Sequence, residues 1–272
     1  MNNINFHLTF PPTLEYISRL LELPDMCNEL SKEEISELTG IPTGKSSGKV
    51  EPHINYGIYM GLIDNISTQK NKYMLKRTKL GHVIQKEDLG LHEEITQLLC
   101  HIHLTSPTTG AFLWQLLIRH ILPNYPDGIK LLILEDELRK QPVLAKRKRI
   151  NLGPFYSTYE KSFTAFSLIS RTKERIKLIP QTFKSEFIYV YAYALLYEWE
   201  NLFGRYTEIT ATQLTSLRFA TAFGLTDSMA YSVLERFAEK GIVRINGQLS
   251  PYTVIKNAYS YEMIDKAYSL LF

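Results

Sequence analysis

Between Gly40 and Lys49 the chain reads GIPTGKSSGK, a run of small residues, hydroxyls and lysines. These are the residue types that phosphate binding uses. Glycines let the backbone come close, while lysines, hydroxyls and free N–H groups supply donors. The phosphate could belong to a nucleotide or to a DNA backbone. A nucleotide loop of the Walker kind needs Gly, four residues, then Gly-Lys-Ser/Thr, so that its arc wraps the phosphates. Here Gly40 and Gly44 enclose only Ile41-Pro42-Thr43, and Thr39 stands where the motif needs glycine. A capped helix, not a buried strand, leads into the run, so the context argues against a nucleotide loop.

The DNA reading uses the same residues. Lys45, Ser46, Ser47 and Lys49 surround a helix start, where backbone N–H groups and a partial positive charge attract phosphate. His53, Asn55 and Tyr56 follow on the helix and are expected nearest the base edges. Lys70, Lys72 and Lys76 recur in the hairpin-like stretch beyond it, with Arg77 beside them. From Lys45 to Lys79 the only acidic residues are Glu51 and Asp64. A winged fold used for protein contact would leave this turn merely solvated, and that alternative stays open.

Other clusters carry less. His92 and Cys100-His101-x-His103 offer metal-ligand types, but adjacent residues on a helix point about 100° apart and do not converge on one ion. A core or surface role is expected, with no metal and no cofactor. Asp127 with Glu135-Asp136-Glu137 resembles a nuclease carboxylate set, yet lacks the lysine such a set needs; Glu137-x-Arg139 comes nearest. No serine or cysteine nucleophile comes with an arranged histidine base. A non-enzymatic protein is therefore expected. Lys146-Arg147-Lys148-Arg149 either clamps nucleic acid electrostatically or is a solvated loop.

Local signals define the elements that must position these residues. Leu14, Ile17, Leu20 and Leu21 recur at helical spacing, so Thr13–Leu23 reads as an amphipathic helix. Ser31 and Glu34 form a capping box for a second helix ending at Gly40. Pro52 lacks an N–H and belongs in a first turn, so the third helix begins near Val50 or Glu51. Lys70–Arg77 then reads as the tip and strand of a wing. Residues 78–206 look mostly helical, with Ala111–Ile121 buried, Ser185–Leu202 long, and Lys140–Tyr156 an exposed loop. Thr210–Phe223 reads as a helix, Asp227 or Ser228 caps the next, and Asn246-Gly247 signals a hairpin.

The expected fold is mainly α: an N-terminal winged helix-turn-helix over 1–80, a helical domain over 81–206, and a C-terminal winged-helix-like module over 207–272. The last carries Ser228, Tyr231, Glu235, Arg236 and Glu239 on its exposed helix face, which suits protein contact or dimerisation as well as DNA. A length of 272 residues fits about two domains and buries a sizeable core without staples. A net charge of +3 is too small to identify a nucleic-acid binder by itself. Cys27 and Cys100 make no disulfide framework, the N-terminus carries no secretory signal, and no apolar run reaches membrane length. A cytoplasmic location is expected.

The phrase Leu38-Thr39-Gly40-Ile41-Pro42-Thr43-Gly44-Lys45-Ser46-Ser47-Gly48-Lys49-Val50 resembles an uncharacterised bacterial family. That family is encoded beside phosphoadenosine-phosphosulfate-reductase-like proteins of DNA sulfur-modification (phosphorothioation) and phage-defence clusters. The likeness spans about residues 31–80. It implies a DNA-associated accessory role and carries over no catalytic residues. The resulting expectation is a protein that grips double-stranded DNA through its N-terminal module and partners a modification or defence enzyme. A homodimer stays open. The rival expectations are a protein–protein adaptor without DNA contact and a transcriptional repressor.

Overall fold

The computed structural model describes residues 4–23, 25, 27–44, 48–248 and 250–270. The chain is mainly helical, and its strands form small antiparallel sheets. Among the described residues, no helix is long and apolar enough to cross a membrane.

Helices α1 (Leu14–Glu22), α2 (Lys32–Thr39) and α3 (Val50–Tyr59) precede a hairpin of β1 (Ile63–Asn65) and β2 (Leu75–Arg77), and α4 (Lys79–Glu87) follows. The capping box forms: Ser31 Oγ accepts from Glu34 N at 3.2 Å, and Glu34 Oε2 accepts from Ser31 N at 2.6 Å. Leu30 bridges Tyr73 on the approach to β2, so the later hairpin segment lies between Leu30 and β1.

The middle of the chain begins with α5 (Glu94–Leu104) and α6 (Phe112–Gln115), which loosens into a π turn over Leu116–Ile121. It continues through β3 (Ile129–Lys130), α7 (Leu131–Arg139), α8 (Pro142–Ala145), α9 (Gly153–Ser157), β4 (Ile169–Arg171) and β5 (Arg175–Leu178). The last part runs α10 (Ile188–Phe203), β6 (Glu208–Thr210), α11 (Ala211–Ser216), α12 (Phe219–Ala222), α13 (Asp227–Glu239), β7 (Val243–Asn246), β8 (Thr253–Lys256) and α14 (Ser260–Tyr268). Strand orders are β3-β5-β4 and β6-β8-β7, so in both sheets the first strand pairs with the last. Leu30 repeats that arrangement in miniature with the first hairpin.

Three features depart from the sequence expectation. The middle segment holds a sheet as well as helices; its strands are too short for alternation to reveal them. The expected exposed loop 140–156 contains α8 and α9, leaving only the charge run between them irregular. The expected helix 210–223 starts as a strand and breaks at Arg218, whose φ of 50° is left-handed. That break has a cause. Arg218 Nη1 donates to Arg119 O at 2.8 Å, and Arg119 Nη1 donates back to Arg218 O at 2.7 Å.

Helix α10 is the hub, packing against α5, α12, α13 and α14. Next to it lies an ion pair without solvent contact, Arg119–Glu198 at 3.4 Å. Thr105 Oγ1 accepts from Arg119 Nε at 3.3 Å, and Ser106 Oγ donates to Glu198 Oε2 at 3.1 Å. Burial outweighs the mutual attraction for both partners: it lowers the Arg119 pKa and pushes that of Glu198 up to about 7. His101 and His103 are core residues. His101 Nε2 faces Ala222 O at 2.7 Å, and His103 Nε2 faces Tyr193 OH at 2.6 Å.

Candidate nucleic-acid interface

Residues 4–12 fold back across α3. Phe6 packs its ring against Tyr56 and Tyr59 at 4.9 and 4.5 Å, and its carbonyl accepts from Asn55 Nδ2 at 3.2 Å. Tyr56 OH donates to Phe10 O at 3.0 Å, and Thr13 N donates to His53 Nε2 at 3.0 Å. The second ring nitrogen of His53 faces Lys49 O at 2.6 Å, so it carries the proton.

This covering corrects the base-reading expectation. His53 and Tyr56 are fully buried, and Asn55 spends its amide on the Phe6 carbonyl. The rings of His53 and Tyr56 present no free edge to a groove, while Asn55 stays partly exposed. Lys49 is half-buried, with its ammonium over the rings of Phe10 and Tyr16 at 5.8 and 5.5 Å. Lys45, Ser46 and Ser47 lie outside the described residues. The hairpin lysines fare differently. Lys70 and Lys76 are exposed, and Lys72 is half-exposed, 3.8 Å from Glu34. Arg77 is drawn inward by Asp25 at 3.3 Å and the Leu21 carbonyl at 3.1 Å.

A pocket of about 800 Å³ opens where the 5–10 segment, the loop before α3 and the charge-run loop meet. Its wall includes His7, Phe10, Lys32, Thr43, Arg149 and Asn151. Lys32 and Arg149, remote in sequence, therefore reach one place. The loop before α3 is pinched by Lys49 N donating to Pro42 O at 2.7 Å. Gly48 permits the pinch, since a Cβ there would stand 2.6 Å from Gly44 O. Lys32 opens α2, whose capping Glu34 also reaches Lys72. Arg149 and Lys32 thus stand at the pocket, and Lys70 and Lys72 on the hairpin. Glu33 and Glu34 share the first turn of α2 with Lys32, and Glu33 stands 4.0 Å from the Lys32 ammonium, so this end of the helix carries both signs of charge.

Two polar atoms in the pocket wall are buried without a hydrogen-bond partner among the described residues, His7 Nε2 and Thr43 Oγ1. Each such orphan costs about 1–3 kcal/mol unless a ligand or solvent completes it. His7 Nδ1 accepts from Thr9 N at 3.1 Å, and burial lowers the ring's pKa to about 4. The neutral ring therefore holds its proton on Nε2, as a donor. Leu8 and Thr9 next to it have φ of 44° and 81°, strained values for residues with a Cβ. Such strain persists only where the surroundings impose it. No sequence signal marked His7. Thr43 and Arg149 stood in noticed motifs, but nothing in the sequence joined them.

Two of the carboxylates considered for hydrolysis are otherwise engaged. Glu135 pairs with Arg139 at 2.6 Å, and Glu137 pairs with Lys140 at 2.6 Å and accepts from Tyr125 OH at 3.1 Å. Among the described residues, no group of three or more His, Cys, Asp or Glu side chains comes together to hold a metal ion.

The chain matches no protein-family model and no curated protein sequence. Two solved structures share its fold nearly end to end. Magnesium ion-bound SspB aligns with a TM-score of 0.74 at 15% identity, covering 98% of this chain and 86% of that one. A second SspB structure aligns with a TM-score of 0.71 at 14% identity, over the same shares of the two chains. At this identity the likeness is one of fold.

Proposed function

We propose that this protein is a non-enzymatic DNA-binding accessory of a DNA modification (phosphorothioation) or phage-defence system. In this reading residues 1–80 act as a winged module whose wing is the β1–β2 hairpin. The two later strand–helix–hairpin units would be further winged modules, used for DNA or for a partner enzyme. The observation that carries the reading is the exposure of Lys70 and Lys76 on the hairpin and of Arg149 at the pocket. Exposed cations of this kind suit the phosphate backbone, which supplies most of the affinity in non-specific binding. Fold likeness to SspB along the whole chain, and the sequence resemblance over residues 38–50, support the association with DNA modification.

The test is duplex binding followed by fluorescence anisotropy across a salt series. Each neutralised phosphate contributes a slope of about −0.9 in log K against log salt. Lys70→Ala/Lys76→Ala should flatten the slope by about 1.8 if both lysines touch phosphates. Absence of duplex binding at about 0.1 M salt would sink the reading. The adaptor reading has its own observation: Leu132, Ile133 and Val143 are exposed on α7 and α8, with Leu132 82% accessible. Co-purification with an enzyme partner, lost in Leu132→Asp but kept in Lys70→Ala/Lys76→Ala, would favour it.

A further inference from the structure

The pocket has a chemistry that a duplex backbone does not need. Phosphates on a duplex lie on a convex surface and are met by exposed cations. Here Lys32 and Arg149 share a concave wall with the Thr43 hydroxyl, the Phe10 ring and Asn151. Cations and a hydroxyl recognise phosphate, whereas an aromatic ring and a side-chain amide recognise a base by stacking and by edge hydrogen bonds. The volume of about 800 Å³ falls in the range of pockets that enclose a small ligand. His7 adds a buried N–H donor, and Thr43 a buried hydroxyl, both without a partner among the described residues. Glu51, also in the wall, can take the exocyclic amine of a base.

We propose that this pocket binds a single nucleotide, with its phosphate held by Arg149, Lys32 and Thr43 and its base against Phe10. The nucleotide is either free or drawn out of a DNA strand; only the second source rests on the DNA-binding reading. Extrusion costs unstacking, which a pocket that stacks and hydrogen-bonds the base offsets.

Calorimetric titration of the full chain with dAMP, deoxyadenosine and inorganic phosphate tests the pocket. Saturable dAMP binding is expected, with deoxyadenosine at least about tenfold weaker. Arg149 is exposed, so Arg149→Gln should leave the fold intact and weaken dAMP roughly tenfold. Thr43→Val, nearly the same shape, should also weaken it. A duplex carrying 2-aminopurine separates the two sources. A fluorescence rise that dAMP suppresses identifies the strand; dAMP binding without that rise identifies the free nucleotide. No saturable dAMP binding into the millimolar range, or binding indifferent to both variants, overturns the proposal. Duplex binding without dAMP binding removes the pocket and keeps the DNA reading, while dAMP binding without duplex binding does the opposite.

Discussion

Acidification should destabilise this protein above the pH range in which ordinary carboxylates titrate, because four histidines are held neutral by their surroundings. His7, His53, His101 and His103 are all buried. Burial lowers the first, second and fourth from 6.5 to about 4, and His101 to about 3. Geometry adds to burial. Protonating His53 Nε2 would set a new N–H against the Thr13 N–H that now donates to it. His7 Nδ1 faces the Thr9 N–H in the same way. In the unfolded chain these rings take protons from about pH 6.5 downward. Their stabilisation is thus complete above that pH and is lost as pH falls toward the folded values. Linkage gives roughly 1.3 kcal/mol lost per ring between pH 7.5 and 5.5, or about 5 kcal/mol for all of them. Glu198 works in the opposite sense. Its pKa is raised to about 7, so acid relieves a buried charge. That returns about 2 kcal/mol over the same interval. The net loss is about 3 kcal/mol, a large share of a typical 5–15 kcal/mol of stability. Urea unfolding read by the fluorescence of the buried Trp114 and Trp199 measures it directly. Equal or greater stability at pH 5.5 than at 7.5 would refute the reasoning.

Other perturbations have defined outcomes. Arg119→Met leaves Glu198 buried without its partner and should cost about 3–5 kcal/mol in urea unfolding, while Arg119→Met/Glu198→Leu should recover most of that. Gly81→Ala would put a Cβ 1.9 Å from the Leu62 carbonyl, so a loss of more than about 2 kcal/mol is expected, seen as a clear drop in Tm. Ser31→Ala removes the cap of α2 and should cost about 1 kcal/mol by the same unfolding assay. Lys70→Ala/Lys76→Ala should leave stability within about 0.5 kcal/mol, since both side chains are exposed, and change only the salt dependence of duplex binding.

Local signals in the sequence were strong and were realised. The Ser31–Glu34 box starts α2, Gly40 ends it at a φ of 67°, and α3 begins at Val50 with Pro52 in its first turn. The hairpin after Asn246 forms between β7 and β8. The burial of α3 was not legible, because its cover comes from residues 4–12, and no periodicity links Phe6 to Tyr56. Polar types at His53 and Tyr56 suggested an outward face; in the fold each meets a backbone partner inside. Arg119 carried a signal that went unused, since a guanidinium in the apolar run 111–121 requires a buried acceptor. Glu198, within the apolar α10, is that acceptor. The pocket could not be read locally either, as it needs three loops from distant parts of the chain.

The reciprocal bonds between Arg119 and Arg218 fasten the middle part of the chain to the last. At the other end, a Cβ on Gly61 would fall 2.4 Å from the His103 ring, so the end of α3 sits directly on α5. Joined in this way, the three hairpins have little freedom to adjust to a bound surface. A duplex touching more than one of them would have to take the curvature that the protein imposes. The work of bending depends on which base steps are bent. The protein would then prefer some sequences over others by the flexibility of the DNA, apart from any reading of its bases.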